Sequence, residues 1–264
     1  MSKLTRTNIV IKVSKSELTQ YLDIIKELNK ISSTHKIKWG TEGVLIYSIK
    51  GEEGEEKSQG KINLLKSFFL KRSNLFANFP EDVNVDYTIL EGKKYHQKFS
   101  LLLDEGLEEY ELDIRYIEDY NVVENFKGVG VMYKSLTAIS GENVLVKDFD
   151  PIVLKERLDP EMSECKFELP VEMLKQLLKS IKMENDNDLL ELSIRDGEIV
   201  FSESQFELIV GNDTSLPDGD WMFKKEYLKS ITPSDDATAV TVSMFETYIS
   251  IDEHKSYMLF TLSL

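Results

Sequence analysis

Residues 165–202 read CKFELPVEMLKQLLKSIKMENDNDLLELSIRDGEIVFS, and this run predicts a strand, a helix and a hairpin in succession. Cys165, Phe167 and Leu169 alternate with polar residues, which is the period of a half-buried strand. Pro170 suits the first turn of a helix, where its missing N–H needs no partner. The stretch therefore predicts a helix that begins directly after a strand.

The predicted helix has one apolar face and one basic face. Its apolar residues fall at helical spacing: Leu174, Leu177, Leu178 and Ile181. Its charged residues line up on the opposite side: Glu172, Lys175, Lys179 and Lys182. The hairpin that follows is predicted to turn at Asp196 and Gly197, because these residue types supply the positive φ angles of a tight turn.

The same order of elements recurs near the N-terminus. Residues 9–13 alternate as a strand and residues 15–31 predict a helix, and an offset of 156 positions aligns them with the elements above. A similar turn at Glu42 and Gly43 lies 154 positions before the second one. The chain therefore predicts two similar domains of the α+β class.

The segments between these repeats predict the remaining elements. Two further helices are predicted at residues 62–79 and 223–231, and a proline follows each of them. Further strands are predicted at residues 83–87, 97–103, 110–116, 240–242, 248–251 and 257–262. The predicted division is an N-terminal domain at 1–118, a connector at 119–163 and a C-terminal domain at 164–264. Each domain is predicted to pack two helices on an antiparallel sheet.

The composition limits the class of protein. A net charge of −15 and 41% hydrophobic residues over 264 positions predict a soluble protein with sizeable cores. No apolar run approaches the roughly 20 residues that cross a bilayer, and no secretory signal is evident, so we expect no membrane association and a cytoplasmic location. The single Cys165 cannot form an internal disulfide and is interpreted as a small buried hydrophobe.

Motifs for catalysis, metal binding and cofactor binding are missing from the sequence. His35, His96 and His254 are far apart in sequence, and each lies in or beside a predicted strand, which favours structural roles. No cysteine and histidine spacing is typical of zinc, and no glycine loop could cradle a phosphate. We therefore predict no catalytic residue, no metal, no cofactor and no enzymatic activity.

Basic residues concentrate on the predicted helices. Residues 15–31, 61–79, 170–183 and 222–232 hold 13 of the 32 basic residues but 5 of the 47 acidic ones. Chance enrichment of lysine on solvated helix faces is one explanation. Glutamate forms helices about as well as lysine does, however, so helix propensity alone does not explain the imbalance.

The doubled pattern and the segment FELPVEMLKQLLKSI…LELSIRDGEIVFS resemble DNA polymerase sliding clamps, especially those of tailed phages and, more distantly, proliferating cell nuclear antigen. The resemblance implies that three two-domain subunits close a ring, with helices lining the hole and sheets outside. It implies a non-catalytic processivity factor that encircles double-stranded DNA and tethers the replicative polymerase. A homotrimer, a DNA polymerase and a clamp loader are the implied partners, in the host cytoplasm if the protein is encoded by a phage.

In such a ring, lysines that face phosphates supply a sequence-independent attraction that salt weakens. The resemblance thus implies a DNA-facing set on the predicted helices: Lys15, Lys26, Lys30, Lys66, Lys71, Arg72, Lys175, Lys179, Lys182, Lys224, Lys225 and Lys229.

Clamps are also understood to bind a short tail of a partner in an apolar pocket beneath the connector. The resemblance implies that this pocket is lined by Val122, Val123, Phe126, Val131, Met132, Tyr257, Met258 and Phe260. The alternative is that these residues pin the connector to the body of the protein.

Two other classes of function stay open on the sequence. An acidic DNA mimic that inhibits a nucleic-acid enzyme would explain the net charge, but it would not need basic helix faces. An uncharacterised enzyme on a two-domain α+β scaffold is the other. A DNA mimic should bind a basic protein as a monomer, whereas a clamp should self-associate.

Overall fold

The structure is a computed structural model, and the described residues are 8–50, 63–71, 85–103, 106–117, 121–127, 132–138, 163–181, 189–204, 206–234, 236–253 and 256–262. The chain divides into two compact units, each made of two segments. The first unit comprises Met1–Ile49 and Ser67–Lys147, and the second comprises Lys50–Lys66 and Asp148–Leu264. The domain boundaries predicted at residues 118 and 164 stay a prediction.

The first unit combines two α-helices with a large antiparallel sheet. Its helices are α1 (Lys15–Leu28) and α2 (Gly92–Leu103). Its strands are β1 (Asn8–Ser14), β2 (His35–Gly40), β3 (Gly43–Lys50), β4 (Leu64–Lys71), β5 (Val85–Ile89), β6 (Glu109–Ile117), β7 (Asn121–Lys127) and β8 (Met132–Ala138). They lie in the order β1-β6-β7-β8-β5-β2-β3-β4, and the first three residues of β4 belong to the second unit.

Strand alternation builds the core of this unit. Ile11 and Val13 on β1 pair with Leu112 and Tyr110 on β6, and all four side chains are buried. The residue between them, Lys12, lies on the other face and is exposed. Because side chains alternate along a strand, β1 and β6 turn these apolar side chains to the core, and Lys12 lies on the opposite face.

The second unit repeats the order of strand, helix and strands. Its α-helix is α3 (Val171–Ile181), and a 3-10 helix spans Lys225–Ser230. Its strands are β9 (Cys165–Pro170), β10 (Leu189–Arg195), β11 (Glu198–Glu203), β12 (Phe206–Asn212), β13 (Gly219–Lys224), β14 (Ala239–Met244), β15 (Tyr248–Asp252) and β16 (Ser256–Thr261). They form two antiparallel groups, β16-β15-β14-β9 and β12-β11-β10-β13.

The predicted turn of the β10–β11 hairpin is confirmed. Asp196 has φ 50° and Gly197 has φ 84°, so both adopt the left-handed conformation of a tight two-residue turn. A Cβ atom on Gly197 would lie 2.6 Å from the backbone nitrogen of Thr214, so only glycine fits.

Three segments differ from the prediction. Residues 64–71, predicted as a helix, form β4, and residues 97–103, predicted as a strand, belong to α2. The helix predicted at 223–231 is the end of β13 followed by the 3-10 helix, so the described part of the second unit has one α-helix rather than two. The reason is that short apolar runs such as Leu64–Lys71 fit both helical and strand periods.

Within the described ranges, no helix is long and apolar enough to cross a membrane.

Candidate nucleic-acid interface

The first unit exposes a pair of packed helices. Tyr21 on α1 and Tyr95 on α2 meet edge to face, with ring centroids 6.5 Å apart. The Tyr95 hydroxyl donates to the Tyr21 hydroxyl at 3.3 Å, and both rings are buried. This contact fixes the two helices side by side, so their outer faces form one surface.

The N-terminus of α1 is held by a capping box. The Ser14 N–H donates to Glu17 Oε2 at 2.7 Å, and the Glu17 N–H donates to Ser14 Oγ at 3.3 Å. Of the lysines predicted to face DNA on this helix, Lys26 is exposed and Lys15 is half-buried. Lys30, just after the helix, is exposed and lies 2.9 Å from the carboxylate of Glu27, which offsets its charge.

The most basic helix of this surface, α2, is one that sequence reasoning missed. Lys93, Lys94 and Lys98 are all exposed, and the helix sequence GKKYHQKFSLLL contains no acidic residue. One carboxylate, that of Glu91 before the helix, pairs with Lys94. The overlooked signal is the spacing of the buried Tyr95, Phe99 and Leu102, which is helical rather than alternating.

The corresponding surface of the second unit lies on α3. Lys175 and Lys179 are exposed as predicted, and Lys175 lies 3.1 Å from Glu172. The opposite face of α3 buries Leu174 and Leu177 in the core of the unit. The 3-10 helix packs beside α3 and adds the half-buried Lys229.

Two residues of the predicted DNA-facing set are corrected by the structure, because both are buried. Lys66 is 2% exposed on β4, and its Nζ donates to the carbonyl oxygen of Ser230 at 2.9 Å. Lys225 is fully buried at the start of the 3-10 helix, where its Nζ lies 3.2 Å from Glu203 Oε2. A buried ammonium group needs such partners, so these two lysines hold the 3-10 helix in place and do not face solvent.

The remaining members of the set fall outside helices or outside the described residues. Lys71 and Lys224 are exposed, but each is the last residue of a strand. Arg72 and Lys182 lie outside the described residues.

The predicted partner pocket is corrected in part. Phe260 is fully buried and packs against Phe223 and Tyr227, with ring centroids 5.1 and 5.7 Å apart, so it belongs to the core of the second unit. Met258 is 2% exposed, and burial raises the pKa of the Tyr257 hydroxyl above its usual value. Because Tyr257, Met258 and Phe260 are all buried, a partner peptide could not contact them at the surface. These three residues fit the alternative, in which they belong to the core of the protein.

For the other predicted pocket residues the prediction is unchanged. Val122, Val123, Phe126 and Met132 lie on β7 and β8, but their side chains are not described, and Val131 lies outside the described residues.

The two described histidines occupy different environments. His35 is buried, with Nδ1 2.5 Å from Ser48 Oγ and Nε2 2.9 Å from Asn29 Oδ1, and burial lowers its pKa to about 4. Gly92, the first residue of α2, lies against this ring, since a Cβ there would be 2.0 Å from His35 Nε2. His35 therefore has the predicted structural role, at the junction of α1 and α2.

His96 contradicts the prediction, because it lies on α2 rather than in or beside a strand. His254 lies outside the described residues.

Burial raises the pKa of the Cys165 thiol to about 11, so it is a protonated core residue at neutral pH. Among the described residues, no group of histidine, cysteine and carboxylate side chains could hold a metal ion.

No protein-family model and no curated protein matches the sequence. Solved structures do match the fold. A PCNA2–PCNA3 complex from Sulfolobus tokodaii aligns over 97% of this chain and 98% of its own, with 10% identity and a TM-score of 0.59. PCNA from Thermococcus kodakaraensis aligns over 97% and 100%, with 12% identity and a TM-score of 0.61.

The beta chain of DNA polymerase III from Streptococcus pneumoniae aligns over 97% of this chain and 65% of its own, with 14% identity and a TM-score of 0.65. At such identities the likeness concerns the fold alone. The chain has the α+β fold of these sliding clamps, built from antiparallel sheets with few helices.

Proposed function

We propose that the protein is a sliding clamp, which encircles duplex DNA and tethers a replicative DNA polymerase without catalysing a reaction itself. The observation that carries the proposal is the pairing of a clamp-type fold with exposed lysines on α2 and α3, in a chain whose net charge is −15. Exposed lysines on helices of both units would give a ring the positive inner surface that it needs.

The distribution of charge suits a ring that slides. Lysines that meet phosphates attract any DNA sequence, and readout of bases would stop movement. The excess of acidic residues elsewhere would repel DNA from other surfaces, while a Debye length of about 10 Å at 0.1 M salt lets the helix lysines act locally.

The proposal includes a homotrimer in the cytoplasm, with a DNA polymerase and a clamp loader as partners. A phage origin is part of the same proposal. The partner tail would bind beside β7 and β8, whose sequences include Val122, Val123, Phe126 and Met132. Light scattering at micromolar protein tests the trimer, and a strict monomer would contradict it.

Charge reversal tests the DNA-facing surface. The first variant carries Lys93→Glu, Lys94→Glu and Lys98→Glu together, and its binding to a short fluorescent duplex is measured over a range of salt concentrations. We expect weaker binding and a shallower dependence on salt, because each lost phosphate contact reduces the slope of log K against log salt by about 0.9. A second variant with Lys175→Glu and Lys179→Glu should behave in the same way.

Matched controls come from the opposite face of each sheet. Lys12 on β1 and Lys166 on β9 are exposed, and their neighbours along the strand point into the core beneath the helices. Lys12→Glu and Lys166→Glu should leave DNA binding close to that of the wild type. Equal losses in the helix variants and in the controls would contradict the assigned surface.

A further inference from the structure

His96 lies on α2 among the lysines of the proposed DNA-facing surface, and its ring is only partly buried. Its Nδ1 lies 3.5 Å from Ser100 Oγ. That hydroxyl donates its hydrogen to the His96 carbonyl oxygen at 2.7 Å, so toward the ring it can only accept. At that distance the contact is weak, so the imidazole is not held in a structural network as His35 is.

The charges around His96 come from two helices. Lys93 lies three residues earlier on α2, which places it on the same side of the helix. Across the surface, Lys26 and Asp23 of α1 act on the ring with opposite signs. The strand β8 also packs on α2, and its single charged residue in sequence is Lys134.

In the free protein these surroundings oppose protonation. Burial and then Lys26 lower the pKa of His96 below its ordinary value of 6.5, and Asp23 offsets only part of this effect. At neutral pH the ring is therefore uncharged, and the surface carries one cation fewer than it could.

We propose that His96 is a further phosphate-binding residue of this surface, neutral in the free protein and protonated when duplex DNA approaches. The inference rests on the proposed function. A phosphate near α2 neutralises the field of Lys26 and Lys93 and adds a negative charge, and both changes favour the imidazolium. DNA binding would then take up a proton, which is a pH dependence that lysines alone cannot give, since they remain charged throughout this range.

The sign of the linkage follows directly. If DNA raises the pKa of His96, the complex binds more protons than the free protein, so binding tightens as pH falls through the pKa of the complex toward the lower pKa of the free protein. Each unit of increase in the pKa makes binding about tenfold tighter at the acidic limit than at the alkaline limit.

The test is an NMR titration of the His96 ring with pH, without and with a short blunt-ended duplex at low salt. In parallel, duplex affinity is measured against pH for the wild type and two variants. His96→Gln mimics the neutral ring and should bind at every pH as the wild type does at the alkaline limit of the His96 titration. His96→Lys mimics the charged ring and should bind at every pH as the wild type does at the acidic limit of the His96 titration.

An unchanged His96 pKa in the presence of duplex, with the lysine signals of α2 shifted, would overturn the inference and leave the proposed function intact. If His96→Gln retains the pH dependence of the wild type, the inference is likewise overturned and the proposed function is left intact. If the duplex shifts no signal on α2 or α3, both the inference and the proposed function fail.

Discussion

On α2 and α3 the lysine side chains extend into solvent, whereas beside the 3-10 helix Lys66 and Lys225 are buried and bonded to Ser230 and Glu203. The residue type is the same in both regions, but the physical roles are opposite. Exposed lysines cost the fold little and are available to a ligand, while buried lysines are part of the fold. Variants in the two regions should therefore separate stability from DNA binding.

The largest loss of stability is expected at the buried ion pair. Lys225→Met removes the cation beside the Glu203 carboxylate, whose side chain is 2% exposed. The free energy of unfolding, measured with urea, should therefore be about 3–5 kcal/mol lower than in the wild type. The double variant Lys225→Met with Glu203→Leu should recover part of the loss. Lys224→Met, at the exposed neighbouring position, is the control, and a loss as small as that of the control would contradict the role of the pair.

His35 extends the comparison to a buried group that stays neutral. Its pKa is lowered from 6.5 to about 4 in the folded protein, so the unfolded chain takes up a proton first as pH falls. Stability contributed by the neutral ring is complete above about pH 7 and should decrease by about 2 kcal/mol by about pH 5. His35→Gln should flatten the pH dependence of the free energy of unfolding in this window. An equal slope in both proteins would show that His35 is not the group responsible.

Lys66 should give an intermediate effect. Lys66→Met keeps an unbranched side chain, shorter by the terminal nitrogen, and removes the donor to the Ser230 carbonyl. We expect a loss of about 1–3 kcal/mol in the free energy of unfolding. Lys71→Met, on the same strand at an exposed position, should change it by less than about 0.5 kcal/mol. Similar values for the two variants would place Lys66 in the exposed class.

The smallest effect on stability is expected on the helix surfaces. Reversal of Lys93, Lys94 and Lys98 should change the free energy of unfolding by about 0.5 kcal/mol or less per site, while it weakens DNA binding. Circular dichroism during urea unfolding measures the first quantity. A large loss of stability here would mean that these lysines, too, belong to the fold.

The second unit was the easier of the two to predict. The strand β9, the helix α3 and the hairpin turn at Asp196 and Gly197 follow local rules of alternation, helical spacing and turn chemistry, and each was predicted at its place. The strands at the end of the chain, β14 to β16, also followed from alternation. Strand β12 was missed, because the apolar Ile209 lies on its exposed face and interrupts the alternation of Phe206, Leu208 and Val210 with polar residues.

Non-local contacts explain the errors at the candidate site. The partner of Lys66 lies 164 positions away in sequence, and that of Lys225 lies 22 positions away, so no local pattern separates these lysines from exposed ones. On α2, the run of leucines at its end suggested a strand, and this hid the lysines at its start. A basic residue can be assigned to a surface only when the element that carries it, and what covers that element, are known.

The central claim is that the protein holds DNA by encircling it. The most direct measurement uses duplex DNA anchored at one end, onto which the protein is allowed to thread before the free end is blocked by a bulky cap. We predict that the protein then resists a high-salt wash and is released when a nuclease cuts the duplex. Release by salt alone from capped DNA, or retention after the cut, would contradict a sliding clamp.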